Sequence, residues 1–489
     1  MSATSPTSLQ STRKAWLALA VLILGVVMGM LDTTIVNVAL PTIRTSLDAS
    51  ESVLSWIISG YALAYGLILI PAGRIGDRIG HKWVFLVGLT GFTVASLACG
   101  LAQDGTALVV ARVAQGLFGG LFFPPVTALI QLMFPGRARG KAFAVMGASI
   151  GVSTALGPIV GGLLIEWLGE AEGWRSIFFV NLPFGVIAVI AALIVLPGGA
   201  EGADAKGADW FGFLLLGGAL VAILVPLIEG QDQDWPLWTW LSLAGGVVLL
   251  VLFALWELAL ARRGRTSPLV PPHLFSHPAF SGGVVLALVY FAAFTSIFFT
   301  ISILWQSGLG HTALESGLVS IPFALGSIVG AAFSDRLAHH LGRRALVIGT
   351  ALVALGLIAV WLVLLLVPAA DLTNWELLAP LAVAGVGSGI FIAPNAQFIV
   401  ATVDRTEAGA ASGVIGTMQR IGSAIGIAVI GSVFFGTLEI SGPADVAPAF
   451  ASSAAHAMLV SAAFAVAAFA LVFVLPKRVD RGYQTIPSE

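Results

Sequence analysis

Long apolar runs separated by short polar loops recur from one end of the 489-residue chain to the other. A helix needs about 20 apolar residues to cross the hydrocarbon of a bilayer. Runs of that order predict fourteen membrane-spanning helices, at 15–38, 53–72, 84–102, 106–133, 142–166, 177–196, 210–229, 237–259, 280–303, 313–334, 345–367, 377–401, 408–436 and 453–475. The runs at 106–133 and 408–436 are long enough to tilt or to project past the lipid. No long polar stretch interrupts the pattern, so the expected fold class is an all-α integral membrane protein whose chemistry takes place within the bilayer.

The loops between the runs differ sharply in basic content. Taken alternately, one set together with the two ends of the chain holds 19 of the 23 Lys and Arg residues, whereas the other set holds only Arg44 and Arg175. The positive-inside rule then places both termini in the cytoplasm, which requires an even number of spans in a multi-pass cell-membrane protein. Residues 1–14 and 476–489 are the expected cytoplasmic tails. Met1–Ser11 is polar and no small-residue cleavage site follows the first apolar run, so that run is read as an uncleaved span.

Composition agrees: 58% of the residues are hydrophobic and 10% charged, against about 25% charged in soluble domains. The short basic loops are topogenic rather than nucleic-acid sites. Cys99 is the only cysteine, which excludes an intrachain disulfide, and no metal-ligand cluster or cofactor motif is present. No phosphate-binding loop of the Gly-x4-Gly-Lys-Ser/Thr type occurs, which argues against an ATP-driven pump within this chain.

The chain also repeats itself. The segment GRIGDRIGHK (Gly73–Lys82) closes the second apolar run, and DRLAHHLGRR (Asp335–Arg344) closes the tenth. Aligning Gly80 with Gly342 superposes Arg74 on Arg336 and Lys82 on Arg344. Two homologous six-helix domains are therefore expected, 15–196 and 280–475, joined by a linker at 197–279 that carries two extra helices. Parallel repeats of this kind are one architecture of secondary transporters, with the substrate held between the halves. In the first copy, Gly73 and Gly80 permit close approach and a tight turn. Asp77, among Arg74, Arg78 and Lys82, is placed to make charge-assisted contacts that latch one half to the other. The second copy has His339 and His340 where the first has Asp77 and Arg78.

Inside the runs, charged residues are few. A carboxylate at membrane depth costs of order 3 kcal/mol on insertion scales and marks a functional site by default. At 1.5 Å rise per residue, Asp32 lies about 25 Å along the first helix and Arg112 about 10 Å into the fourth from the opposite face. Both fall in the outer third, where they can meet directly or through Gln115 and act as a protonation switch. Arg420 lies about 18 Å into the thirteenth run, with Gln419, Asn395 and Gln397, backbone carbonyls or an anionic substrate as expected partners. The absence of acids around it favours neutral, zwitterionic or weakly acidic compounds over dications. Gly157, Pro158, Gly161 and Gly162 make the fifth run closely packed and pliable. Asn37, Gln115, Tyr290, Gln306, Asn395, Gln397 and Arg420 are the substrate-cavity candidates, with Trp56, Tyr61, Phe118, Phe122, Phe123, Phe294 and Trp305 as apolar walls. Trp235, Trp238, Trp240 and Trp375 suit the outer interface, and Glu229 and Glu257, near the ends of the linker helices, suit solvent or the lipid surface.

Six segments resemble motifs of one family. The element Gly73–Lys82 is similar to the loop signature of the major facilitator superfamily, and LDTTIVNVALP (Leu31–Pro41) looks like the first-helix motif of that superfamily's fourteen-spanner drug:proton antiporters. RVAQG (Arg112–Gly116) resembles the fourth-helix arginine motif, and GPIVGG (Gly157–Gly162) the fifth-helix motif associated with antiporters. WRSIFFVNLPFG (Trp174–Gly185) and QRIGSAIG (Gln419–Gly426) also match family patterns. The resemblance implies a major facilitator fold and no enzyme activity. It further implies export of a small organic compound in exchange for protons, by alternating access through rocking of the two halves. A monomer in the lipid bilayer is expected, with the small-molecule substrate and protons as its partners. A proton-coupled importer on the same fold and a non-transporting receptor are the alternatives; the fifth-helix motif favours export.

Overall fold

The computed structural model describes residues 6–198, 209–230, 233–263, 268–401, 403–404 and 407–476. The expected basic loop residues Lys206, Arg265 and Arg405 and the tail residues Lys477, Arg478 and Arg481 lie outside them. The chain is helical along most of its length: α1 (Pro6–Leu47), α2 (Glu51–Ile79), α3 (His81–Gly100), α4 (Gly105–Met133), α5 (Gly136–Leu168), α6 (Glu170–Phe179), α7 (Asn181–Val195), α8 (Trp210–Glu229), α9 (Leu237–Arg263), α10 (Pro278–Ile303), α11 (Ala313–Leu318), α12 (Ile321–Leu341), α13 (Arg343–Leu366), α14 (Asn374–Val400), α15 (Ala408–Gly436) and α16 (Val446–Val472).

Local chemistry sets many of the boundaries. Asp104 accepts from Ala107 N at 2.8 Å to start α4, and Thr312 with Glu315 and Thr373 with Glu376 form capping boxes at α11 and α14. The turn between α2 and α3 needs Gly80 at φ +97°, and the equivalent turn between α12 and α13 needs Gly342 at φ +54°. In α5, Pro158 supplies no N–H to the carbonyl of Thr154, and the helix bends by 40° between Ala138–Thr154 and Leu156–Leu168.

Among the described residues, twelve helices are long and apolar enough to cross a membrane, or thirteen with bent α5 as one span. The fourteen expected from the apolar pattern are not reached, because the apolar stretch of α8, Phe211–Leu227, is short. The segment Gly173–Val195, interrupted at Val180, counts as one of the twelve.

Two tertiary contacts mirror each other. At the start of α3, Lys82 Nζ donates to the carbonyls of Leu193 and Leu196 at 2.8 and 2.9 Å, just at the end of α7. At the start of α13, Arg343 donates to the carbonyls of Phe473 and Leu475 beyond α16. Lys82 is thus committed to α7 rather than to Asp77. The end of the bundle that holds Arg74, Asp77 and Lys82, where α2 stops and α3 starts, is its basic end; Arg175, donating to the carbonyls of Gly100 and Ala102, lies at the opposite end of α3.

Candidate functional site

Four helices converge on Asp32. The side chain is fully buried on α1, as is Arg112 on α4 at 1% exposure. Arg112 Nη1 donates to Asp32 Oδ2 at 2.7 Å. Asp32 Oδ1 accepts from Gln115 Nε2 at 2.9 Å and from Asn181 Nδ2, at the start of α7, at 3.1 Å. Ser96 of α3 accepts from the same two amides at 2.6 and 3.2 Å. The guanidinium is held further by Ile57 O at 3.1 Å and Gln115 Oε1 at 2.6 Å, and its carbon lies 4.1 Å from the centre of the Tyr61 ring. A buried ion pair repays its desolvation only when its remaining lone pairs and protons are satisfied, and here both oxygens of Asp32 are. Asp32, Arg112 and Gln115 meet as the depth arithmetic expects. Ser96 and Asn181 are not singled out by the sequence: serine is common in membrane helices, and Asn181 is one residue of the family-like stretch Trp174–Gly185.

From this cluster a row of aromatic and cationic groups leads into the last third of the chain. Tyr61 and Tyr65, one turn apart on α2, have ring centres 5.9 Å apart, and Arg420 of α15 lies 4.0 Å from the centre of the Tyr65 ring. Arg420 therefore has an aromatic partner on α2 rather than the amides of α14. The reason is packing: at Gly413 a Cβ would stand 2.7 Å from Leu69 O and from Ile70 Cα, so α15 rides directly on α2. Tyr61 Oη is buried without a hydrogen-bond partner.

At the basic end, α2 and α15 meet backbone to backbone. A Cβ at Gly73 would collide with Gly409 O, and one at Gly409 with Gly73 O. Asp77 reaches across this contact: its Oδ1 accepts from Gly409 N at 2.9 Å and its Oδ2 from Ala410 N at 3.1 Å. These N–H groups open α15 and have no partner within the helix, and the helix dipole adds to their attraction for a carboxylate. Arg74 Nη1 lies 3.7 Å and His81 Nε2 3.3 Å from Asp77, while Arg78 is half-buried beside it. In the second copy of the repeat it is Asp335 that stands against Gly140 of α5.

The glycines of α5 touch α1 on one side and α11 on the other. At Gly157 a Cβ would collide with Thr34, two residues past Asp32, and at Gly161 it would stand 2.8 Å from Ile35 Cγ1. Gly162 faces Leu314 of α11, and a Cβ at Gly317 would stand 3.0 Å from Pro158 Cβ. The remaining candidates are dispersed. Asn37 is exposed; Gln306 donates to Ser302 at 2.7 Å; Asn395 and Gln397 donate to the carbonyls of Gly283 and Gly140 at 3.3 and 3.4 Å. Tyr290 donates to Ser388 at 2.7 Å and stacks on Phe391 with ring centres 4.1 Å apart. Trp375 is exposed, as suits an interface, but Glu257, expected at a surface, is buried.

Residues 22–427 match the family model of the Major Facilitator Superfamily. The chain belongs to this superfamily. It is 37% identical over 434 residues, covering 88% of this chain and 75% of the relative, to the probable actinorhodin transporter of Streptomyces coelicolor. It is 34% identical over 474 residues, covering 94% of this chain and 90% of the relative, to the puromycin resistance protein of Streptomyces alboniger. These relatives support the superfamily's drug:proton antiporter type, as the motifs imply, and mark the chain as a transporter rather than an enzyme. The fold is shared with a crystal structure of the human organic anion transporter MFSD10, at 16% identity and a TM-score of 0.63 over 94% of this chain and 99% of that one.

Proposed function

We propose that this superfamily member exports small organic compounds across the cell membrane in exchange for protons. The observation that carries the reading is the buried Asp32–Arg112 pair, a charge couple with every oxygen engaged, set in the helix that α5 packs against. A proton arriving at Asp32 removes the negative charge, weakens the hold of three donors at once and frees Arg112 to bear on Tyr61. Through Tyr65 that change reaches Arg420 and the other half of the molecule.

In this reading two six-helix halves rock about the contacts of α2 with α15 and of α5 with α12, and α8 and α9 complete fourteen spans with both termini cytoplasmic. The names of the relatives point to antibiotics as the substrate class. Inverted vesicles loaded with a proton gradient are the direct test. Addition of puromycin or actinorhodin is expected to dissipate the gradient and to fill the vesicles with compound; a gradient indifferent to every compound of a panel of such antibiotics would overturn the reading.

The aromatic row has its own expected result. Arg420→Ala removes a cation–π contact of about 0.5–2 kcal/mol and uncouples the halves, so drug-dependent proton flux is expected to fall about 2–30-fold. Flux is expected to recover in part with Arg420→Lys, which keeps the cation but not the planar stack. Equal loss in both variants would point to a steric role instead.

A further inference from the structure

The linker helices bury an acid pair that the Asp32 site does not use. Asp209, which precedes α8, accepts through Oδ1 from Gly212 N at 2.9 Å and from Trp256 Nε1 at 3.0 Å. Glu257, next to Trp256 on α9, accepts through Oε2 from Val270 N at 3.1 Å. Both side chains are more than nine-tenths buried, at 7% and 2% exposure. Their other oxygens, Asp209 Oδ2 and Glu257 Oε1, are buried without a hydrogen-bond partner. Both point at the same small space beside Gly212, where a Cβ would collide with Asp209 Oδ2 and stand 2.9 Å from Glu257 Oε1. Among the described residues no Lys, Arg or His is ion-paired with either acid.

Two carboxylates sharing a buried site cannot both stay ionised, because each charge disfavours the other. One proton resolves the conflict: the protonated acid becomes a donor, the other accepts, and two orphaned oxygens are satisfied together. The consequences reach the latch. Two residues before Val270, the carbonyl of Pro268 accepts from Arg74 Nη2 at 2.7 Å, and the same guanidinium lies 3.7 Å from Asp77. Glu257 thus anchors one end of a short segment whose other end holds Arg74 beside Asp77.

We propose that Asp209 and Glu257 form a second proton-binding site holding one shared proton, and that this proton keeps the segment Pro268–Val270 docked and the Asp77 latch shut. When the proton leaves, repulsion parts the two acids, the segment loosens and Arg74 loses its carbonyl partner. The charged groups around the pair are consistent with this. Arg74 of α2 is held by the carbonyl of Pro268 and by Asp77, Arg262 and Arg263 farther along α9 are exposed, and His273 is engaged by Glu407 at 2.9 Å. The wiring rests on the reading of Asp77 as a latch; the shared proton does not.

Infrared difference spectra of the purified full chain, titrated through neutral pH, test the site. One protonated carboxyl band is expected to vanish as pH rises, to be absent in Glu257→Gln and Asp209→Asn, and to persist in Asp32→Asn, where proton-coupled export is lost. The same band in Glu257→Gln and Asp209→Asn, or its displacement by sodium at constant pH, overturns the site. Spin labels at the basic ends of α2 and α15 test the wiring. The wild-type distance is expected to lengthen as pH rises, and that of Glu257→Gln, which mimics the protonated acid, to stay short. A latch that opens in Asp77→Ala but shows the same pH response in wild type and Glu257→Gln overturns the wiring.

Discussion

Asp32→Asn is expected to reduce proton-driven export to background while downhill exchange of substrate persists. The amide keeps the shape of the acid but offers one acceptor oxygen where Arg112, Gln115 and Asn181 supply three donors, and it cannot take up a proton. It also leaves Arg112 buried without its counter-charge. Removing one partner of a buried pair costs about 3–5 kcal/mol, mostly because the other charge stays behind, so a lower melting temperature should accompany the loss of coupling. A second substitution separates the two effects. In the double variant Asp32→Asn, Arg112→Gln the stranded charge is gone, so stability should recover while coupling does not, a non-additivity that a double-mutant cycle measures. Full proton-driven transport by Asp32→Asn in vesicles would sink the assignment of Asp32 as the proton carrier.

The pairing of Asp32 with Arg112 was legible because one-dimensional arithmetic suffices. Each helix starts at a membrane face, the rise per residue is fixed, and two opposite charges at one depth in adjacent helices have strong reason to meet. The family motifs around Leu31–Pro41 and Arg112–Gly116 pointed to the same helices. Where a partner is a peptide group, sequence has nothing to show: Asp77 binds the N–H groups of Gly409 and Ala410, which any residues but proline would supply. The neighbours expected of Arg420 are not the one it has, because its contact with Tyr65 depends on how closely the small residues of α15 let it approach α2. Glu257 was misplaced for a similar reason. Its position near a helix end suggests a surface, but the start of α8 at Gly212 and the return of the segment at Val270 cover it. The span pattern is weakest at α8, whose apolar stretch, Phe211–Leu227, is short.

Gly409→Ala and Asp77→Ala are expected to open the basic end of the bundle by different routes. In the first, a single methyl group cannot fit against Gly73 O and stands 2.5 Å from Asp77 Oδ1, so the backbones of α2 and α15 must part. In the second, the contact remains but two charge-assisted bonds to the start of α15 are lost. A hydrogen bond to a charged group contributes about 1.5–3 kcal/mol. With partial replacement by water, the closed arrangement should lose about 2–4 kcal/mol, a shift of about 30–1000-fold in the balance between closed and open. Spin-label distances between α2 and α15 at the basic end should lengthen in both variants. Labelling is simple because Cys99 is the only cysteine in the chain and is buried. Distances between α5 and α11 at the other end should shorten or stay unchanged, since Gly162 and Leu314 are untouched. Transport should fall in both variants although Asp32 and Arg112 are intact, and only Asp77→Asn should restore part of it, because its amide oxygen can still accept from one of the two N–H groups. If both ends opened together, the two contacts would be parts of one rigid scaffold, and alternating closure of the two ends would have to be abandoned as the transport cycle.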